Sequence, residues 1–179
     1  WGNDLQLLYE RIELDDSCFK TINAMKNDDT TPIIDNYKNA VIAKQNLSRP
    51  LRVGVDAGNG IAGPIACSIY EAMGCEVYNL FCEPDGSFPN HHPDPADPKN
   101  LEDLIKLVRS KKLDLGIAFD GDGDRLGVVD GDSNIIWPDR QMMIFSRDVL
   151  RGNPGASIIY DVKCSRNLHR WITDCGGCP

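Results

Sequence analysis

The chain has 179 residues with a formal charge of −8 and an isoelectric point near 4.8. That length supports one full domain with its own core, or one domain plus pieces of others. The acidic balance argues against nucleic acid or an anionic membrane as the main partner, so any bound phosphate needs a local basic group or a metal. No apolar run approaches the length of a membrane span, and residues 1–20 are too polar for a signal peptide. The chain therefore reads as soluble and cytoplasmic.

The seven cysteines, an odd number scattered through apolar patterns, fit reduced thiols packed as small hydrophobes. Cys175 and Cys178 have CxxC spacing, but no second CxxC and no placed histidine pair accompanies them, and Gly176-Gly177 reads as a helix stop.

In chain order, NDLQLLYERIE at 3–13 predicts the end of an amphipathic helix, and the polar stretch through 28–32 a linker. A new unit begins near Ile33 with a helical segment to about Gln45. LRVGVD at 51–56 predicts a buried strand and DAGNG at 56–60 a tight glycine turn. The next helix carries Ile61, Ile65, Ile69 and Met73 at a spacing of four and stops at Gly74. CEVYNLF at 75–81 is the following strand, which completes a right-handed crossover of a parallel sheet. The proline-rich EPDGSFPNHHPDPADP forbids regular structure; its length marks it as functional or pinned by packing, with His91 and His92 as polar loop contacts. Leu101, Leu104, Ile105 and Val108 make one helical face, and DLGIAF at 114–119 is a third strand. LGVV, the DGDSN turn and IIW form a hairpin that adds an antiparallel strand. Pro138 opens a helix over 139–150 bearing Met142, Met143, Phe145 and Leu150. SIIYDV at 157–162 is a strand, and a last helix runs from about Ser165 to Asp174. These elements predict an α/β protein with a mixed, mostly parallel sheet covered by helices, and a second domain of similar build that starts near residue 136 and stops at Pro179 before it can bury a core.

The chemistry concentrates in residues 115–129, LGIAFDGDGDRLGVV. Alternation turns Asp120, Asp122 and Asp124 toward one point, and Gly121 and Gly123 permit dihedrals closed to other residues. Three carboxylates so close repel one another, which a divalent cation between them relieves. Oxygen-only ligation points to Mg²⁺ or a close substitute. Asp-Gly pairs also form ordinary solvated turns, but this segment lies between two buried-looking strands and not in a polar linker. An EF-hand is excluded, because Arg125 stands where the turn glycine belongs, Gly131 replaces the bidentate glutamate, and strands flank the loop. The glycine turn at 56–60 precedes a helix that could receive phosphate, but it lacks a basic partner and reads better as a structural turn.

Five ordered stretches resemble the bacterial phosphomannomutase/phosphoglucomutase group of the alpha-D-phosphohexomutase family. They are VDAGNGIAG (55–63), FPNHHPDP (88–95), FDGDGDR (119–125), PDR (138–140) and DVKCS (161–165). The resemblance implies a four-domain enzyme whose first three domains are three-layer alpha/beta/alpha. Residues 1–32 would be the tail of the first domain, 33–135 the complete second and 136–179 the opening of the third. It implies interconversion of hexose 1- and 6-phosphates through a phosphoserine and a 1,6-bisphosphate. Asp120, Asp122 and Asp124 would hold Mg²⁺ against the serine phosphate, and Arg125 would act there as a catalytic cation. Arg125 bridged to one of its own aspartates is the structural alternative, and both can hold. Lys163, at a strand end, would face substrate, where a solvated surface charge is the plain reading; Arg140 would be an interdomain contact. The family's T-A-S-H-N-P serine motif and its G-E-M-S-G-H sugar loop do not occur here. The implied partners are a phosphosugar and the remaining domains, and the chain alone is expected to be inactive. The alternative is a stand-alone Mg²⁺-binding or interaction module derived from that domain.

Overall fold

The computed structural model describes residues 6, 7, 9, 10 and 31–179, in two compact units, residues 1–37 and 38–179. In the first unit Gln6, Leu7, Tyr9 and Glu10 are helical. The rest of the helix expected over 3–13, and residues 28–30 of the expected linker, lie outside the described residues. Thr31 and Pro32 open helix α1 (Thr31–Ile42) and so are not linker; proline suits a first helical turn, whose N–H groups have no partner in any case.

In the second unit, strands β1 (Arg52–Asp56), β2 (Glu76–Leu80), β3 (Leu115–Phe119), β4 (Leu126–Asp130) and β5 (Ile135–Ile136) form one sheet in the order β2-β1-β3-β4-β5. β1 pairs in parallel with β2 and β3, while β4 runs antiparallel to β3 and β5 antiparallel to β4. The sheet is therefore mixed, with β4 alone reversed, as the DGDSN hairpin predicts.

Helices cover both faces. Val53, Val55 and Ile117 point to one side and pack with Ala66 and Cys67 of α2 (Ala62–Ala72). On the other side Gly54 and Gly116 stand in register, and a side chain on either would meet Leu104 at about 3 Å. Two missing side chains thus make the seat for α3 (Glu102–Lys111), whose Leu104 and Val108 are fully buried with Ala118 and Val129. That is the three-layer arrangement, with one apolar cluster on each face.

Three details differ from the sequence reading. The spacing-four stripe of α2 is only partly its core face: Ile69 is buried and Ile65 and Met73 are half-buried, but Ile61 is exposed, and the other buried positions are Gly63, Ala66 and Cys67. The helix packs so closely that a Cβ on Gly63 would lie 2.2 Å from the Cys82 carbonyl oxygen, so small residues win over large ones there. Phe145 is exposed on α4 (Pro138–Gly152), whose buried residues are Gln141, Met143, Ser146 and Leu150. The strand expected over 157–162 does not form. Ser157 makes one isolated bridge to Cys178, and Ile159 and Val162 are 91% and 95% exposed. An extended segment is a strand only when a neighbouring strand takes its backbone hydrogen bonds. Residues 159–162 pair with no strand among the described residues, and the Asp161 carbonyl accepts instead from the Cys164 N–H in a turn.

Helix α5 (Arg166–Asp174) begins at Ser165, whose hydroxyl accepts from the Asn167 N–H, an ordinary N-cap. Its Leu168 and Ile172 join Met143 and Leu150 of α4 in a third apolar cluster, so residues 136–179 do bury a small core, contrary to the sequence reading. Gly176, at φ 81°, ends it as expected. The cysteines among the described residues are all free thiols. No helix among the described residues is long and apolar enough to cross a membrane.

Candidate metal centre

The aspartate loop leaves β3 at Phe119 and enters β4 at Leu126. Ligand oxygens of Asp120, Asp122 and Asp124 lie within 4.8 Å of one another, with Asp120 buried and the other two exposed. Gly123 sits at φ +77° and closes a turn through its N–H to the Asp120 carbonyl, a conformation that favours glycine. Gly121 has no such dihedral. The loop needs one special backbone position, where the sequence suggests two.

Two neighbouring segments set the position of the loop. The glycine turn backs directly onto it: a Cβ on Gly60 would lie 2.7 Å from the Gly121 carbonyl oxygen, and that carbonyl accepts from the Ile61 N–H. The turn is therefore structural, and a protein carbonyl already occupies the start of α2. Within the turn, buried Asp56 accepts from the Gly58 N–H and faces His91 Nε2 at 3.2 Å. Burial pushes the Asp56 carboxyl above its ordinary value, partly offset by the Gly58 N–H and by His91. The proline-rich segment is the second support. Pro93 packs beside Gly58 and Gly121, and Pro95 beside Gly127, so the segment grips both ends of the aspartate loop.

Arg125 ties these parts together. Its backbone N–H donates to Asp120 Oδ1 at 2.9 Å, its Nε to Asp120 Oδ2 at 2.7 Å, and its Nη1 to Asp94 Oδ1 at 2.8 Å. Asp124 is more distant, at 3.9 Å from Nε. The bridge to its own aspartate is thus present, while the side chain stays 54% exposed. Burial pushes the Asp120 carboxyl up, but the Arg125 N–H and guanidinium outweigh it and hold Asp120 below the usual range. Repulsion from Asp122, then Asp120, raises Asp124. Beyond Arg125 an open, mostly apolar cleft of about 540 Å³ is lined by Pro95, Leu126, Ile136 and Trp137.

These residues fit a hard divalent cation. Three carboxylates and one guanidinium leave two negative charges at the loop, and all the side-chain donors are oxygens. Lys163 is not brought to this site: it is 84% exposed and pairs with Asp161 at 3.2 Å. Arg140 is exposed, and its N–H caps toward Trp137. Sequence reasoning missed Asp56 and Asp94. Both lie in turn-rich segments where aspartate is common, and their partners are 35 and 31 residues away.

The model for the phosphoglucomutase/phosphomannomutase alpha/beta/alpha domain II matches residues 33–133. A phosphoglucomutase from Neisseria meningitidis is 47% identical over 176 residues. A phosphomannomutase/phosphoglucomutase from Pseudomonas aeruginosa is 48% identical over 178 residues. The alignments cover 98% and 99% of this chain and 38% of each relative. The crystal structure of a phosphoglucomutase/phosphomannomutase family protein from Burkholderia thailandensis superposes with a TM-score of 0.83 at 46% identity, over all of this chain and 38% of that one. The chain spans about 38% of the length of the curated relatives it matches, and it belongs to the phosphoglucomutase/phosphomannomutase family.

Proposed function

We propose that the chain is the metal-loop portion of a phosphohexomutase that interconverts hexose 1-phosphate and hexose 6-phosphate, with mannose and glucose phosphates as substrates. The reaction passes through a phosphoserine and a 1,6-bisphosphate, and the serine lies elsewhere in the enzyme. The observation that carries this reading is the convergence of Asp120, Asp122 and Asp124 within 4.8 Å, beside the partly exposed cation of Arg125. In this reading residues 33–135 are a whole second domain, 1–32 the tail of the first and 136–179 the opening of the third. The separate apolar cluster of Met143, Leu150, Ile158, Leu168 and Ile172 supports the last boundary.

Phosphoryl transfer leaves the protein mainly positioning and charge stabilisation to supply. Asp120, Asp122 and Asp124 would hold Mg²⁺, which when bound stabilises charge on the serine oxygen. Asp120, fixed from behind by Arg125, is the rigid member of the set. Arg125 donates from its exposed edge to the same phosphate, with the planar geometry that suits phosphate oxygens. Lys163 enters from the third domain as a substrate contact, its exposed ammonium exchanging the surface pair with Asp161 for the substrate. The setting is cytoplasmic metabolism, in keeping with free thiols at Cys67, Cys75 and Cys82.

The test is the complete gene product. It should convert glucose 1-phosphate and mannose 1-phosphate in a Mg²⁺-dependent way, and Asp122→Asn or Arg125→Ala should abolish this. A gene that begins and ends with this chain, yielding a protein that binds Mg²⁺ without turnover, would favour a stand-alone metal-binding module instead.

A further inference from the structure

We propose that Asp94 is a positioning residue for Arg125, holding its guanidinium away from Asp122 and Asp124 so that one edge stays free for a phosphate. This role rests on the function proposed above.

The geometry begins with competition. A guanidinium beside three carboxylates would be expected to pair with as many as it can reach, and each such pair occupies an oxygen that a metal needs. Arg125 instead divides its donors. Nε goes to Asp120 and Nη1 to Asp94, while Asp124 stays at 3.9 Å. Among the described residues Nη2 has no hydrogen-bond partner. Both of its N–H groups therefore remain available to an anion.

Asp94 can impose this because it is itself fixed. Pro93 and Pro95 restrict the chain on either side of it. Its N–H donates to the His92 carbonyl, its own carbonyl accepts from Asn100 Nδ2 at 2.9 Å, and its Oδ1 also accepts from the Ala96 N–H at 3.1 Å. His91, three residues back, is anchored to the buried carboxylate of Asp56. The carboxylate at 94 is thus presented from a braced segment, and the flexible arginine conforms to it. A long side chain held at two points loses the rotamers that would let it fold back onto Asp124.

The test uses the 179-residue chain with Mg²⁺ and O-phosphoserine as probes, in a double-mutant cycle of Asp94→Ala and Arg125→Ala. Asp94→Asn, which retains an acceptor for the Ala96 N–H, serves as the variant that keeps the loop turn. In the Arg125 background, loss of Asp94 should weaken phosphoserine binding about threefold to tenfold, and in the Arg125→Ala background it should change nothing. Water exchange of the Arg125 Nε–H, followed by nitrogen-edited NMR, should accelerate in both Asp94 variants while that of Arg49 stays as it was. Equal losses in both backgrounds, or unchanged Nε–H exchange, would overturn the role. A wild-type chain that binds neither Mg²⁺ nor phosphoserine would overturn the proposed function and this role with it. Binding of both, with indistinguishable Asp94 variants, would overturn this role alone.

Discussion

His91 turns Nε2 to the buried carboxylate of Asp56, 3.2 Å from both of its oxygens. The opposite ring nitrogen, Nδ1, lies 2.9 Å from the His92 carbonyl oxygen. A carbonyl only accepts, so the Nδ1 contact is a hydrogen bond in the tautomer that carries its proton there. The pair joins the glycine turn to the proline-rich segment, and Phe81 supports the ring edge-on at 5.4 Å.

Removing the ring leaves Asp56 with the Gly58 N–H as its remaining partner. His91→Ala should therefore lower stability by about 1–3 kcal/mol, the cost of under-satisfying a buried polar group. Urea unfolding of the two proteins measures this directly, and equal midpoints would show that the pair contributes nothing.

At the loop itself binding and stability should separate. Asp122 is exposed and repels Asp124, so Asp122→Asn should change stability by no more than about 0.5 kcal/mol. The same change removes a charged ligand and should weaken Mg²⁺ binding at least about tenfold. Calorimetric titration of both chains checks it; superimposable curves would count against the metal site. Mg²⁺ binding to the wild-type chain should itself be weak in the absence of a phosphate ligand.

Gly60→Ala probes how the loop is seated. Its new methyl would press on the backbone carbonyls of Gly121 and Asp120, at 2.7 and 3.0 Å, and neither can rotate away. We expect a loss of about 1–3 kcal/mol from overpacking, together with weaker Mg²⁺ binding because Asp120 moves. A stable variant with unaltered metal affinity would show that the two loops move independently.

Acid stability should carry the signature of Asp114. Its carboxylate accepts from Arg49 at 2.7 and 3.2 Å and from the Arg52 N–H at 2.8 Å, and the Arg49 guanidinium, foremost, lowers it from 3.8 to about 2. A depressed carboxylate stabilises the fold above its unfolded value and loses that contribution as pH falls through the folded one. Wild type should therefore exceed Asp114→Asn in stability at neutral pH, and the gap should close between 3.8 and about 2. A gap that stays constant through that window would refute the linkage.

The isolated chain should show no mutase turnover with glucose 1-phosphate, mannose 1-phosphate or a 1,6-bisphosphate. Turnover in a coupled assay would contradict the reading of this chain as part of a larger active site.

The sequence by itself determined the alternation of strands and helices, the hairpin at DGDSN and the three converging aspartates. All of these follow from short-range rules: hydrophobic period, turn residues, and side-chain alternation along an extended chain. It was misleading where a pattern needed a distant partner. The isoleucine stripe of α2 promised a core face, of which only Ile69 is buried; the close approach to Cys82 gives the rest to smaller residues. SIIYDV has strand composition, but no neighbouring strand among the described residues takes its hydrogen bonds.

What the tertiary structure alone decided is how the aspartate loop is held. The contacts of Gly60 with Gly121, of Asp56 with His91 and of Asp94 with Arg125 each join segments more than 30 residues apart. Such pairings leave no local periodicity, because they arise when the sheet brings separate loops to one edge. Three carboxylates in a row can be read from a sequence; the braced arginine beside them depends on which loops the fold makes neighbours.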